Sequence, residues 1–446
     1  MALTGLDIYK LLPKKNCGEC AVPTCLAFAM ALAGKKTSLD KCPYVSTDAK
    51  ATLEGASAPP QRLVALGIGE NKIEIGNETV MFRHEQTFWH QPGIAVEIED
   101  TTPDAELAAK IQKINSLVFE RVAQKLSVQV IAVRNTSKDP AKFAKTVTTV
   151  CEKSQLALIL VSDSPASIEA ALKACAGKKP LIHGATAANF QQMAQLAKAN
   201  NCPIVTVANT LDEMAELTPK VKALGIEDIV MDFNTTDPQK MLLNLTHSRR
   251  LAVKKTFRPL GYPTITFVGG NDKNWELAQA VTAVCKYAGL VVLKSTDNWE
   301  ILPLLTARQS VYTDPRKPIQ VESKIYEIGN VNENSPVLVT TNFSLTYFTV
   351  EPEVEGSKIA AYIIVVDTEG MSVLTAFAAD KLNSEKIAKM LNTSGIKDKV
   401  KHKKVIIPGY VAVMSGRLQE DSGWEVMVGP REASAIGPYL KTMWKI

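Results

Sequence analysis

The chain has 446 residues, 46% of them hydrophobic and 22% charged, the balance of an ordinary globular protein long enough for roughly two to four domains. Its 51 basic and 46 acidic residues are interspersed and leave a net charge of only +5, which argues against a nucleic-acid or membrane-surface partner. No apolar run approaches the ~18 residues of a membrane span, and the start, Met1-Ala-Leu-Thr-Gly-Leu-Asp7, lacks the basic and apolar regions of a signal peptide, so the expected setting is the reducing cytoplasm.

Four of the eight cysteines fall in the first 42 residues: Cys17, Cys20, Cys25 and Cys42, spaced C-x2-C-x4-C-x16-C. Four thiolates are soft ligands suited to an iron–sulfur cluster or to zinc. Cys17 and Cys20 flank a Gly-containing turn, and Cys25 opens an apolar helix that can shield an inorganic core. Structural zinc sites usually carry two short C-x2-C knuckles, and only one is present, so the compact trio and the distant Cys42-Pro43 favour a 4Fe-4S cluster over zinc or free thiols. The remaining cysteines, Cys151, Cys175, Cys202 and Cys285, are expected to be buried thiols. Residues 1–57 form this first module, and Ala56-Ser-Ala-Pro-Pro60 reads as a linker.

Residues 58–315 follow as one domain. Arg62–Gly69 and Lys72–Phe82 read as a short hairpin. From Gly93, eight β-branched runs alternate with helical patterns: Ile94–Ile98, Val128–Val133, Leu156–Val161, Pro180–His183, Pro203–Val207, Asp228–Met231, Thr264–Val268 and Leu290–Leu293. The first helical pattern spans Ala105–Leu126. Eight such units fit a TIM-like (β/α)8 barrel. A doubly wound sheet is the rival, but no G-x-G-x-x-G follows any strand.

Residues 309–335 break the rhythm with turn and linker residues, and a second α/β domain spans 325–446. Its strands, Val337–Thr340, Ala360–Val366, Lys404–Ile407 and Trp424–Val428, make a small Rossmann-like parallel sheet. The loops after these strands hold Thr340, Thr341, Asn342 and Thr346; Gly370, Met371, Ser372 and Val373; Gly409; and Ala433, Ile436 and Gly437. Small side chains there let backbone approach a broad flat ligand, or simply cap the helices that follow. The barrel strands end on Asn135, Asp163, His183, Asn209, Asp232, Asn234 and Asp272, which are catalytic candidates or plain capping residues. No Ser-His-Asp spacing, Walker loop or H-E-x-x-H helix is present.

The cysteine spacing, the barrel and the loops Thr340-Thr-Asn-Phe-Ser and Thr368-Glu-Gly-Met-Ser-Val are similar, over essentially the whole chain, to the large (gamma) subunit family of the corrinoid iron–sulfur proteins. The resemblance implies a methyl carrier of the reductive acetyl-CoA pathway. Its cobamide, a cobalamin-type corrinoid, would accept a methyl group from methyltetrahydrofolate through a methyltransferase and deliver it to acetyl-CoA synthase/CO dehydrogenase. It also implies a heterodimer with a smaller barrel subunit. Cys17, Cys20, Cys25 and Cys42 would hold the 4Fe-4S cluster that reactivates the cobalt, and the twelve C-terminal loop residues named above would bind the corrinoid. The cofactor carries the chemistry, so no catalytic side chain is assigned. A ferredoxin-like electron carrier without corrinoid and a pterin-dependent methyltransferase using the barrel are the alternatives. A cobalt-ligating histidine would stand in a D-x-H-x-x-G loop. Only His90-Gln-Pro-Gly93 matches half of it, and the C-terminal domain holds only His402, in a basic run. The cobamide is therefore expected with its own base displaced and no protein ligand.

Overall fold

The computed structural model describes residues 5–33, 37–46, 49–50, 53, 59–122, 124–270 and 272–444. The expected boundary at residue 57 and most of the Ala56–Pro60 linker lie outside them. Contacts sort the chain into two compact units, Met1–Leu117 with Ser127–Tyr312, and Val118–Leu126 with Thr313–Ile446.

In the first unit, the helices Gly5–Leu11 and Cys25–Ala33 pack Ile8, Leu12, Phe28 and Ala29 into one apolar cluster with Cys20 and Cys25. The expected hairpin follows as β1 (Leu63–Leu66) and β2 (Ile73–Gly76), paired antiparallel from Leu63↔Gly76 to Leu66↔Ile73. Gly76 is required: its φ is 91°, and an added Cβ would lie 2.1 Å from the Arg62 carbonyl oxygen.

β3 (Gly93–Glu99) begins the barrel. The helix after it runs only Asp104–Asn115, which corrects the expected Ala105–Leu126. The chain turns instead into a small antiparallel ribbon, β4 (Val118–Arg121) and β5 (Gln124–Ser127). Asn115-Ser116 ends the helix, and Val118-Phe119 favours extended backbone. At the ribbon's turn Val122 adopts a φ of 55° and packs on the core of the second unit.

The barrel continues as β6 (Val130–Arg134), β7 (Ala157–Val161), β8 (Leu181–Ala185), β9 (Ile204–Val207), β10 (Ile229–Asp232), β11 (Thr264–Phe267) and β12 (Leu290–Leu293). These close with β3 in the order β10-β11-β12-β3-β6-β7-β8-β9, all parallel. Strands covered on both faces need the near-continuous Val/Ile/Leu runs seen in the sequence. The helices start on side-chain caps: Asp139, Ser164, Thr210, Asp237 and Asp272 each accept from the first turn. Val64, Leu66 and Ile75 of the hairpin pack against Val130, Ala157, Leu181 and Leu290, the first residues of their strands, so the hairpin plugs the barrel's amino-terminal end. The carboxyl-terminal mouth is left for polar residues.

The second unit carries β13 (Ile325–Ile328), β14 (Val337–Thr341), β15 (Ala361–Val366), β16 (Lys404–Ile407) and β17 (Glu425–Val428), in the order β13-β15-β14-β16-β17. Four strands are parallel as expected, and β13 adds an antiparallel edge that the sequence reading took for linker. Alternation along β14, β15 and β16 feeds two cores. Val337, Val339, Ile364 and Ile407 face Ile387, Ala388, Leu391 and the buried Trp424, while Leu338, Ile363 and Ile406 face Tyr347, Val354 and Leu440.

Cys175 and Cys202 are buried and Cys151 partly so, but Cys285, at the end of the helix Lys273–Cys285, is exposed, which corrects its reading as a buried thiol. Among the described residues no helix is long and apolar enough to cross a membrane.

Candidate cofactor sites

The sheet of the second unit changes winding direction between β14 and β16: β15 lies on one side of β14, while β16 and β17 lie on the other. Open α/β sheets bind ligands in the crevice beyond the strand ends at such a point. A cavity of about 350 Å³ opens there. Leu338, Val339, Ile406 and Ile407 line its floor and Thr346, Thr349 and Ser372 its wall, where the Thr349 hydroxyl donates to the Leu345 carbonyl at 2.6 Å and the Ser372 and Thr375 hydroxyls bond to each other at 3.1 Å. Thr340 is 1% exposed, and its Oγ1 has no hydrogen-bond partner among the described residues. A buried unpaired hydroxyl costs about 1–3 kcal/mol, which a bonding group in the cavity would recover; Thr341 Oγ1, on the other face, is unpaired among the described residues as well. Around the opening, large apolar side chains stand exposed: Leu345, Leu374 and Tyr410, the first at 68%.

Of the twelve candidate residues from the loops, Thr340, Thr346, Ser372, Val373, Ala433 and Ile436 line this cavity. The other six stand behind it. Thr341 follows Thr340 in the strand and belongs to the opposite face. Asn342 is a brace: its Oδ1 accepts from Thr368 N, Thr368 Oγ1 and Gly370 N at 2.9–3.0 Å, and its amide donates to Gln320 and Asp367. Gly370 has φ 75°, and a Cβ there would meet Gln320 Cγ at 2.9 Å. Met371 packs on a core cluster, and Gly437 lies beside Ser357. Gly409 lets two loops touch, since a Cβ would come within 2.5 Å of the Gly429 oxygen. The sequence reading missed Leu345, Leu374, Pro408, Tyr410, Pro430 and Arg431 of the lining. Tyr410 is a large residue next to Gly409, and Leu374 the second residue of the helix Val373–Ala378.

His402 cannot reach the cavity. It precedes β16 at the amino-terminal end of the strand, where its Nε2 meets the Ser335 oxygen at 2.9 Å and its Nδ1 accepts from Lys404 N at 3.1 Å. Burial holds its pKa below the usual histidine value. No histidine is among the cavity-lining residues.

At the barrel mouth four of the polar candidates bond to one another, and the others bond elsewhere. His183 Nε2 and Asp232 Oδ2 lie 2.7 Å apart, Asn234 N donates to Asp232 Oδ1, and Asn234 Nδ2 donates to Asn209. Asn135 bridges Asp100 and Ser162, and Asp272 caps its helix. The Asp163 carbonyl accepts from Asn189. Glu97, nearly buried, accepts from Arg134 at 2.8 Å. These bonds are of the kind that capping residues make.

In the cysteine module Cys20 and Cys25 are buried, Cys42 partly buried and Cys17 exposed. Gly18 and Ala21, both with positive φ, turn the chain between the first three. Tyr44 donates to Glu19 at 2.8 Å, and that bond and the Glu19 charge raise the phenol's pKa, with a smaller contribution from burial. Among the described residues no group of three or more His, Cys, Asp or Glu side chains converges on a single-ion site. The donor set still suits an iron–sulfur group: four soft thiolates, three of them against one apolar cluster, with a backbone N–H of Asn16 on the Cys25 sulfur at 3.4 Å.

A family model described as CO dehydrogenase/acetyl-CoA synthase delta subunit matches residues 63–440, and an Fe-S cluster model matches residues 12–44. The chain is 50% identical to the corrinoid/iron-sulfur protein large subunit of Moorella thermoacetica, over 99% of each chain. It is 38% identical to the acetyl-CoA decarbonylase/synthase complex subunit gamma of Methanothermobacter thermautotrophicus, again over 99% of each. A dihydropteroate synthase from Thermus thermophilus aligns with 56% of this chain and all of its own at 14% identity and a TM-score of 0.39, too loosely to bear on function. By its full-length identity to curated relatives, the chain belongs to the family of corrinoid/iron–sulfur protein large subunits and acetyl-CoA decarbonylase/synthase gamma subunits.

Proposed function

We propose that this chain is a methyl carrier of acetyl-CoA synthesis, with a cobamide on the second unit and a 4Fe-4S cluster on Cys17, Cys20, Cys25 and Cys42. The observation that carries the reading is the cavity at the switch point between β14 and β16, with the partnerless Thr340 hydroxyl in its wall. When bound, the cobamide supplies the cobalt that receives and releases the methyl group, and the cluster supplies the electron that restores it after oxidation.

The chain's own residues bind and shield. Leu338, Val339, Ile406 and Ile407 exclude water from the inner face of the ligand. The Thr340, Thr346, Thr349 and Ser372 hydroxyls meet its polar rim. Tyr410, tied to Glu432 at 2.6 Å, fixes two of the loops against each other. The lack of a histidine in the lining supports a cobalt without a protein ligand. A cavity of about 350 Å³ holds only part of so large a ligand, and the exposed Leu345, Leu374 and Tyr410 around it suit a covering partner. That partner is the smaller barrel subunit, with the methyltetrahydrofolate methyltransferase and acetyl-CoA synthase as transient partners. The working modules are 1–57, 58–315 and 325–446, in the cytoplasm. The barrel's self-paired mouth makes it a scaffold rather than a methyltransferase site.

The test is anaerobic purification with metal analysis, followed by methyl transfer from methyltetrahydrofolate with the methyltransferase added. Iron near four per chain, cobalt near one, and transfer that needs the added methyltransferase are expected. Iron without cobalt would leave an electron carrier, and transfer by the chain alone would make the barrel catalytic.

A further inference from the structure

Asn16 precedes the first cysteine of the motif and has a φ of 49°, a left-handed conformation that Asn tolerates better than most residues. This turn points its own backbone N–H at Cys25 Sγ, 3.4 Å away. Its side chain returns the contact, since Cys25 N donates to Asn16 Oδ1 at 2.8 Å. One residue thus grips the third cysteine at both its nitrogen and its sulfur. The helix Cys25–Ala33 does not depend on this bond alone for a cap, because Thr24 Oγ1 accepts separately from Ala27 N at 3.1 Å. The grip holds a sulfur in place as well as a helix end.

We propose that Asn16 is a positioning residue that sets the reduction potential of the N-terminal cluster through this reciprocal pair. The inference rests on the cluster assignment proposed above. One-electron reduction adds negative charge that the ligand sulfurs share, and no proton or bond need change. An N–H dipole aimed at a sulfur favours the reduced form, and so does the amino-terminal end of the helix that Cys25 opens. Asn16 is exposed, so without its side-chain anchor the N–H would turn to water and the reduced form would lose that support.

The test is a redox titration of the anaerobically purified full-length protein, following the reduced cluster by electron paramagnetic resonance. Asn16→Ala is expected to lower the reduced-to-oxidised ratio at a fixed potential about tenfold, a shift of about 59 mV for a one-electron couple. Asn16→Gly keeps the left-handed turn and is expected to shift the same way by less. Asn201→Ala, which removes another left-handed Asn (φ 51°) far along the chain, is expected to leave the potential unchanged. Loss of iron from both Asn16 variants with the wild-type circular dichroism retained would also support a positioning role. A full cluster at the wild-type potential in Asn16→Ala, or in Asn16→Gly if the alanine variant does not fold, overturns the proposal. Zinc without iron in the wild type would overturn the cluster assignment instead.

Discussion

At the carboxyl-terminal mouth of the barrel, His183, Asp232, Asn234 and Asn209 are joined in one chain of hydrogen bonds. At the carboxyl ends of β14 and β16, Thr340 keeps a buried hydroxyl with no partner among the described residues, beside a cavity of about 350 Å³. Both faces are strand ends rich in small and polar residues, and from composition either could be a site. The difference lies in whether the polar atoms are already satisfied. Satisfied groups hold the fold together, whereas an unsatisfied one next to empty volume is held for something else.

The largest effect should come from filling the cavity. Thr346→Trp places an indole where the ligand would lie, on a helix wall that tolerates it. Cobamide affinity is expected to fall about a hundredfold or more, roughly 2.8 kcal/mol, with the melting temperature and iron content unchanged. Equilibrium binding followed in the visible spectrum checks it. A variant that still binds tightly would move the site elsewhere and end the comparison.

Asp232→Ala tests the other face. It leaves His183 buried without its 2.7 Å partner, and a loss of about 2 kcal/mol in unfolding free energy is expected. Cobamide content should not change. Chemical denaturation of wild type and variant reads the first, and cobalt analysis the second. Unchanged stability with lost methyl transfer would give the barrel mouth a chemical role.

How far this contrast could be read beforehand differs by level. The eight barrel strands were legible to within about two residues at each end, because strands buried on both faces need unbroken β-branched runs. The ribbon β4–β5 was not. Leu107, Ile111 and Ile114 set a helical period that Leu117 continues, and only Asn115-Ser116 marks the stop. β13 was hidden for the opposite reason: Ile325-Tyr-Glu-Ile328 alternates properly but stands among turn residues. In the candidate site, Thr340 and Thr341 were grouped by composition, although alternation alone separates them onto opposite faces. The role of Asn342 as a brace depends on Gln320, Asp367, Thr368 and Gly370 arriving from other segments, and no local pattern encodes that.

Thr340→Val sharpens the comparison at a single atom. Valine keeps the shape and removes the unpaired hydroxyl. Stability of the cobamide-free protein is expected to rise by about 1 kcal/mol, and cobamide affinity to fall several-fold, so the two changes carry opposite signs. The same exchange at a satisfied hydroxyl should not raise stability: Ser162, which donates to Asn135 at 3.1 Å, is the control as Ser162→Ala. Thermal melts without cobamide and binding titrations decide it. A destabilised Thr340→Val would mean that its hydroxyl has a partner in solution.

The smallest effect concerns pH and lies wholly on the barrel side. Asp297 accepts from Lys113 at 2.8 Å and from Lys273 at 2.5 Å, and these two bonds bring its pKa down to about 2. It joins the helix Asp104–Asn115, the helix Lys273–Cys285 and the start of the helix Asn298–Tyr312. In the unfolded chain the same carboxyl would titrate at ~3.9. A carboxylate with a depressed folded pKa contributes stability that is fully present above the unfolded value and is lost as pH falls through the folded one. The stability difference between wild type and Asp297→Asn should therefore be constant above about pH 5, fall progressively below it and be largely lost by about pH 2. Its size should be only about 0.5 kcal/mol, because exposed pairs are screened, and it should shrink further in high salt. Cobamide binding, which draws on none of these groups, should show no matching dependence on Asp297. Denaturation midpoints of the two proteins from about pH 2 to pH 7 measure the first part, and binding at about pH 5 and pH 7 the second. A difference that grew as pH fell would reverse the sign of this linkage, and the Lys113 and Lys273 bonds would no longer account for what Asp297 contributes.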